Sequence, residues 1–226
     1  MDKIIKPRGA GNSRFEAADS TDFFPTPLWA TRALIERVMK PLGLYNSEHD
    51  VWEPACGQGH MLLGLQDYYP NIKYSDIANP GKAFIYGDTS HKSWESGHEF
   101  EGRSFFDPYF DAAQSDWIIT NPPFNLFQQF FDRAMALGKV GVAFFVPLTA
   151  LEGKMRYEKI FKRYAGKFCV APFVERVPIV KNEVRKDATT ARAYAWLIVI
   201  HNISLPPLHH IPPCRKQLER DEDYDV

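Results

Sequence analysis

The sequence predicts an α/β fold in which helices cover both faces of a mostly parallel, seven-stranded sheet. Three observations predict this fold: seven short apolar runs occur along the chain, most are separated by segments with helical periodicity, and a polar loop separates the last two. Strands joined through helices pair in parallel and are buried on both faces. Strands joined by a loop alone favour antiparallel pairing, so we expect an antiparallel terminal hairpin.

The predicted elements follow in chain order. Thr26 and Pro27 are expected to cap the first helix, in which apolar residues recur at helical spacing from Leu28 to Leu42. Further helices are predicted at "GQGHMLLGLQDYY", "NLFQQFFDRAMAL" and the basic, amphipathic "GKMRYEKIFKRYA". Residues 89–114 are expected to form a long irregular loop. The strands are predicted at "HDVWEP", "IKYSDI", "AFIYGD", "DWIIT", "VGVAFFVPL", "KFCVAPFVE" and "ARAYAWLIVI".

Length and composition predict a single domain between two tails. The chain has 226 residues, and we expect a flexible arm over residues 1–20, one domain over 21–205 and an irregular acidic tail over 206–226. No apolar run is long enough for a membrane span, and the polar start does not resemble a signal peptide. Three widely spaced cysteines argue against a disulfide framework and favour a reducing cytoplasm; they are Cys56, Cys169 and Cys214.

The charge distribution indicates one basic surface on a nearly neutral protein. The formal net charge is −1, yet residues 153–186 contain ten Lys or Arg and three Asp or Glu. Such a segment suggests one face for a polyanionic partner such as a nucleic acid. A solvated helix face is the alternative interpretation, and it is the more common one for a lone basic run.

A glycine-containing turn follows the first predicted strand in "EPACGQGH". The strand ends at Glu53, and Gly57 and Gly59 would let the backbone approach a ligand closely where the next helix begins. Asp76 ends the second strand, at the position where an acid would bind ribose hydroxyls. The pattern favours a nucleotide-like ligand, although a simple turn and a capping aspartate remain alternatives.

The stretch "TNPPF" ends the fourth predicted strand and suits chemistry on a planar amine. The lone pair of such an amine is delocalised, and two hydrogen-bond acceptors would free it for attack. The Asn121 side-chain oxygen and the Pro122 carbonyl can be those acceptors, and consecutive prolines fix the turn. Phe124 can stack on a base. A merely structural rigid turn is the alternative.

These motifs together resemble those of a known enzyme family. "FFPTP" (23–27), "EPACGQGH" (53–60), "SDI" (75–77), "TNPPF" (120–124) and the later "ERVPI" and "ARAYAWLIV" occur in one chain. In them the chain resembles S-adenosylmethionine-dependent amino-methyltransferases, and most closely small phage- or prophage-type DNA adenine-N6 methyltransferases. The resemblance implies a Rossmann-like class I methyltransferase fold. It also implies methyl transfer to the exocyclic N6 amine of adenine in DNA, by base flipping and in-line displacement, as in restriction-modification.

The resemblance also implies cofactor-binding positions. The methionine part of S-adenosylmethionine is expected near Glu53, Ala55, Gly57 and Gly59, and its ribose near Asp76. Phe24 and Thr26 are expected at its carboxylate end, and Asn121 is expected to touch it. Ser104 stands where the family usually has an acid that contacts the cofactor adenine. Asp88 and Phe105 are the preferred neighbours of that adenine, with Asp107 as an alternative to Asp88.

The resemblance also implies catalytic and substrate-binding positions. Asn121, Pro122 and Phe124 take the catalytic roles. Residues 153–192 are expected to form a basic helix and a loop that face the target, with no separate recognition domain. The expected DNA contacts are Lys154, Arg156, Arg176, Lys181, Arg185 and Lys186. No metal is expected, because His209, His210 and Cys214 lack zinc-ligand spacing.

Partners and rival functions follow from the same motifs. We expect DNA as partner, no membrane association, a monomer or homodimer, and a location in a bacterial cell or phage-infected host. The same chemistry on RNA or on a protein glutamine amide is one alternative. A catalytically silent accessory protein that binds cofactor or DNA is another.

Overall fold

The computed structural model describes residues 24–77, 104–188 and 190–225. The predicted arm over residues 1–20, the predicted third strand "AFIYGD" and Asp88 lie outside these residues. Within them the helices are α1 Leu28–Leu34, α2 His60–Gln66, α3 Phe127–Leu137, α4 Lys154–Arg156 and α5 Arg215–Leu218. The strands are β1 Val51–Glu53, β2 Ile72–Tyr74, β3 Ser115–Thr120, β4 Gly138–Pro147, β5 Phe168–Pro172 and β6 Tyr194–Ile200.

The six described strands form one mixed sheet in the order β2-β1-β3-β4-β6-β5. Strand β1 pairs in parallel with β2 and β3, and β3 pairs in parallel with β4. Strand β6 lies between β4 and β5 and is antiparallel to both, so the last two strands form the expected hairpin. The carboxyl ends of β1 to β4 therefore lie at the same end of the sheet.

Alternate side chains of the central strands enter two separate cores. Val142, Phe144 and Val146 of β4 pack on one face of the sheet, whereas Ala143 and Phe145 pack on the other. Each of these side chains is fully buried. Burial on both faces is what the near-continuous apolar runs predicted. Helices α1 and α2 cover the Phe145 face, and α3 covers the Phe144 face.

Two predicted helices differ in detail from the pattern. Helix α1 has Pro27, not Thr26, as its N-cap, and it continues as a π-helical turn over Ile35–Met39. Thr26 is 3% exposed, and its hydroxyl accepts a hydrogen bond from another segment instead. The basic helix consists of α4 followed by a π-helical turn over Tyr157–Phe161.

The C-terminal segment, expected to be an irregular tail, packs on the domain. It runs beside the edge strand β5, where Val170 bridges Leu208 and Phe173 bridges Ile211. Helix α5 and a 3-10 turn over Asp221–Tyr224 then follow. An exposed strand edge offers unpaired backbone groups, and this segment covers part of it.

Candidate active site

The carboxyl ends of β1 and β3 are joined by a buried carboxylate. Glu53, the last residue of β1, is 1% exposed. One of its oxygens accepts hydrogen bonds from the Ala55 N–H at 3.0 Å and from the hydroxyl of Thr120, the last residue of β3. Thr120 therefore fixes the two strand ends relative to each other, immediately before Asn121.

A second carboxylate holds the glycine loop. One oxygen of Asp76 accepts a hydrogen bond from the Gly57 N–H at 2.8 Å. Gly57 and Gly59 have φ values of 53° and 93°, which side-chain-bearing residues adopt only at a cost. The loop after β1 thus owes its shape to these glycines and to acids at the ends of two neighbouring strands, Glu53 and Asp76.

The Asn121 side chain is oriented by the segment before α1. Its amide nitrogen donates to the Phe24 carbonyl at 2.9 Å and to the Thr26 hydroxyl at 3.1 Å. A carbonyl can only accept, so the amide must turn its nitrogen towards Phe24. Among the described residues the Asn121 side-chain oxygen accepts no hydrogen bond, and the side chain is half-buried. An acceptor is therefore held ready at the tip of β3.

The next two expected catalytic residues follow directly. Pro122 is buried, and within the described part of the chain its carbonyl accepts no hydrogen bond. Phe124 is half-buried and begins a 3-10 turn over Phe124–Leu126 that leads into α3. Two oxygen acceptors therefore occur at consecutive positions, Asn121 and Pro122, two residues before an aromatic side chain.

Burial changes the acid–base behaviour of Glu53. Removal from water raises the pKa of its carboxyl from an ordinary 4.5 to about 8, and the negative charge of Asp76 adds to this effect. The hydrogen bonds from Thr120 and Ala55 act in the opposite direction. Glu53 therefore binds a proton in the folded protein at pH values where the unfolded chain has released it.

We expect Glu53→Gln to flatten the pH dependence of stability. Because the folded-state pKa is raised, the contribution of Glu53 to stability is complete below pH 4.5 and declines as pH rises towards 8. Glutamine keeps an acceptor for Ala55 but does not titrate. The difference in unfolding free energy between wild type and variant should fall by up to about 1.4 kcal/mol per pH unit in that window. Urea unfolding across the window measures it, and parallel profiles would contradict the raised pKa.

The structure describes only some of the residues that are expected beside the cofactor adenine. Phe105 is 2% exposed, with its ring centroid 5.2 Å from that of Trp52 and 5.1 Å from that of Phe130. Ser104 accepts a hydrogen bond from the Phe106 N–H. Asp107 caps the 3-10 turn over Pro108–Phe110 by accepting from the Tyr109 N–H. The preferred acid, Asp88, lies outside the described residues.

The expected DNA-contacting cations differ in how far they are already paired. Lys154 and Arg156 follow the carboxyl end of β4, and the Arg156 guanidinium lies 5.2 Å from the centroid of the Phe127 ring. Arg176 donates to the Ala191 carbonyl, and Lys181 is half-buried. Arg185 pairs with Glu183 and Asp187, and Lys186 pairs with Asp221 at 2.7 Å. The loop therefore carries less unneutralised positive charge than its Lys and Arg content suggested.

Sequence reasoning missed two contributors to the site. The Thr120 hydroxyl binds Glu53, and the Phe24 backbone carbonyl, rather than its ring, orients Asn121. Thr120 lies inside the "TNPPF" motif, so a polar residue at a buried strand end was a usable signal. Nothing in the sequence indicates the role of a backbone carbonyl.

Metal ligation and membrane insertion find no support in the described residues. No group of three or more His, Cys, Asp or Glu side chains there is arranged to hold a metal ion. No helix in the described part of the chain is both long and apolar enough to cross a membrane.

Comparison with known proteins adds information on the fold. No protein-family model and no curated protein sequence matches the chain. Among solved structures, the M protein of the type I restriction enzyme EcoKI superposes with a TM-score of 0.57 at 14% identity, covering 83% of this chain and 48% of its own. The modification subunit of a proposed type I restriction enzyme from Vibrio vulnificus gives 0.54 at 17% identity, covering 92% and 52%.

A third solved structure, from a different organism, has a similar fold. A proposed class I S-adenosylmethionine-dependent methyltransferase from Listeria monocytogenes superposes with a TM-score of 0.52 at 13% identity, covering 89% of this chain and 68% of its own. The present chain spans about half the length of the two type I modification subunits. At these identities the comparison concerns the fold, and the chain has the α/β Rossmann-like fold of methyltransferases.

Proposed function

We propose that the protein transfers a methyl group from S-adenosylmethionine to the exocyclic N6 amine of adenine in DNA. The orientation of Asn121 carries the proposal. Its amide nitrogen is bound to Phe24 and Thr26, so its oxygen and the carbonyl of the next residue, Pro122, are both available as acceptors among the described residues. Two acceptors fixed in this way suit an NH₂ group, which has two N–H donors.

The chain's own residues account for the activation of the amine. The Asn121 oxygen and the Pro122 carbonyl each accept one N–H, which localises the nitrogen lone pair for attack. Phe124 would hold the base by stacking. The cofactor, when bound, supplies an electrophilic methyl group on a sulfonium. The amine nitrogen would gain the methyl group in place of one of its protons. The electron pair of the S–C bond would stay with the sulfur, and the proton would leave to solvent past the oxygen that accepts it.

The glycine loop supports binding of that cofactor. A loop with positive φ at Gly57 and Gly59, held by acids at the ends of β1 and β2, is suited to the methionine and ribose parts of S-adenosylmethionine. Asp76 accepts a hydrogen bond from Gly57, and an acid at the end of the second strand is the group suited to ribose hydroxyls. Glu53 would act by shaping the loop, since it is buried between Ala55 and Thr120.

Two features support DNA as the substrate. Lys154 and Arg156 follow the carboxyl end of β4. They therefore lie at the same end of the sheet as Asn121. Two of the structural relatives are subunits of type I restriction enzymes. An adenine inside a duplex must leave the stack before its amine can reach Asn121.

Incorporation of radiolabelled methyl groups tests the proposal. Purified protein is incubated with labelled S-adenosylmethionine and unmethylated DNA, RNA or total protein, and the products are digested and identified. We expect label in DNA as N6-methyladenine. Label confined to RNA or to glutamine would overturn the substrate but keep the chemistry. Absence of cofactor binding in calorimetry would overturn both and favour a silent accessory protein.

A further inference from the structure

A basic groove lies at the end of the sheet opposite the candidate active site. It has a volume of about 630 Å³ and is formed by the C-terminal part of α3, the end of the basic helix with the turn after it, and the residue after β6. Its cationic side chains are Lys159, Arg163 and Lys167, with His201 beside them. None of these residues belongs to the proposed catalytic machinery.

The strand directions locate the groove. The His201 ring nitrogen Nε2 lies 2.9 Å from the carbonyl of Gly138, the first residue of β4. Asn121 lies at the other end, because β3 and β4 are parallel and Thr120 pairs with Phe144 near the carboxyl end of β4. A ten-residue strand spans roughly 30 Å. The basic helix therefore starts at the candidate active site with Lys154 and runs to the groove.

The cations of the groove differ from those of the loop before β6 in whether they pair with acidic side chains. Lys159, Arg163 and Lys167 are exposed, and within the described parts of the chain none of them has a carboxylate within 4.0 Å. The neighbouring Glu158 pairs with Lys162 instead. On the loop, by contrast, Arg185 and Lys186 are neutralised by acids. The three cations of the groove are thus an unneutralised part of the basic segment.

The remaining lining gives the groove an aromatic and apolar wall. Tyr164 is half-buried, with its ring edge-on to Phe131 at 5.7 Å between centroids. The Arg163 guanidinium carbon lies 5.4 Å from the Tyr164 ring centroid, which positions the charge at the groove. Met135 adds apolar surface, and the one acid of the lining, Asp132, accepts a hydrogen bond from Gln128.

We propose that this groove binds a single strand of nucleic acid through its phosphates, at a site separate from the catalytic one. Cations along a groove with an aromatic side chain are the combination used by proteins that bind single strands without sequence preference. Lys159 lies on the π-helical turn and Arg163 on the turn that follows it, and both line the groove, so they can contact phosphates of one strand. Bases would lie against the half-buried ring of Tyr164.

The salt dependence of binding tests the proposal. Affinity for a short fluorescent oligothymidine, and for oligouridine of the same length, is measured by anisotropy over a range of salt concentrations. The triple variant Lys159→Gln, Arg163→Gln, Lys167→Gln removes the groove charges. We expect its affinity at low salt to fall on the order of tenfold and its salt slope to decrease by about 2, because each phosphate contact contributes about 0.7 to the slope.

A control variant loses the same net charge at positions outside the groove. Lys40→Gln, Lys162→Gln, Lys216→Gln removes three surface cations that do not line the groove. We expect it to bind like wild type, and both variants should keep the wild-type unfolding midpoint because the changed side chains are at the surface. In wild type, photocrosslinking of a thiouridine-labelled strand should modify the peptide that contains Tyr164.

Three results would overturn the proposal. They are equal loss of affinity in the two triple variants, crosslinks confined to the catalytic end, and tighter binding of an acidic peptide than of the oligonucleotide. The last result would indicate a groove for an acidic protein segment. These measurements need neither cofactor nor methyl transfer, so they are independent of the proposed reaction and can be repeated in Asn121→Ala.

Discussion

Asn121→Ala should reduce methyl transfer to DNA by at least about a hundredfold while leaving the protein folded. In the proposed mechanism the change removes one of two acceptors for the amine, and loss of one pre-organised hydrogen-bonding group commonly costs 10²–10³ in rate. The Pro122 carbonyl would still accept one N–H, so the nitrogen lone pair would remain partly delocalised. Initial rates at saturating cofactor measure the effect, and thermal unfolding confirms that the fold is retained.

Two further variants separate the chemistry from packing. Asn121→Asp keeps the shape of the side chain but cannot donate to the Phe24 carbonyl, so we expect the same loss of activity. Asn125→Ala changes an exposed asparagine just beyond the motif and should leave the rate unchanged. An Asn121→Ala enzyme with activity within about tenfold of wild type would contradict the acceptor role.

The second large expected effect is on stability, and it comes from a buried ion pair between α1 and the C-terminal segment. Arg32 on α1 and Asp223 in the C-terminal segment are 3% and 2% exposed. The guanidinium donates two hydrogen bonds to the Asp223 carboxylate, at 2.7 and 2.8 Å, and a third to Asp67 at 2.6 Å. It also donates to the Leu218 carbonyl. This pair therefore attaches the C-terminal segment to the helix that follows Phe24 and Thr26.

We expect Asp223→Ala to lower the free energy of unfolding by about 3 kcal/mol. Removing one member of a buried ion pair leaves the other charge without full compensation, which typically costs about 3–5 kcal/mol. The lower end applies because Asp67 remains as a partner of Arg32. Urea unfolding at neutral pH, with an unchanged m-value, is the measurement.

Asp221→Ala is the matched control in the same turn. Its carboxylate is 92% exposed and, among the residues that the structure describes, pairs only with the exposed Lys186, so its loss should leave the unfolding free energy essentially unchanged. Equal stability of the Asp223→Ala and wild-type proteins would show that the C-terminal segment is not held by Arg32.

Much of the architecture was predictable because it depends on local chemistry. Apolar runs that are buried on both faces identified β3, β4 and β6, whose side chains enter both cores. The polar loop before β6 correctly indicated an antiparallel pairing with β5. The end of α1 was less predictable, since the apolar spacing over one turn at Ile35–Met39 does not distinguish a π-helical turn from an α-helical one. The packing of α5 was also unexpected, because its few residues have no periodic pattern.

The sequence by itself determined which chemical groups stand at the strand ends. Glycine and proline restrict or release the backbone locally, so "EPACGQGH" and "TNPPF" indicate a ligand loop and a rigid turn wherever they occur. Only the tertiary structure decided how these groups are used. Asn121 is oriented by a carbonyl 97 positions away, and Arg32 is neutralised by an acid 191 positions away. Such contacts depend on how the elements pack, which local patterns do not encode. For the same reason, only the fold divided the basic segment between the candidate active site and the groove at the opposite end of the sheet.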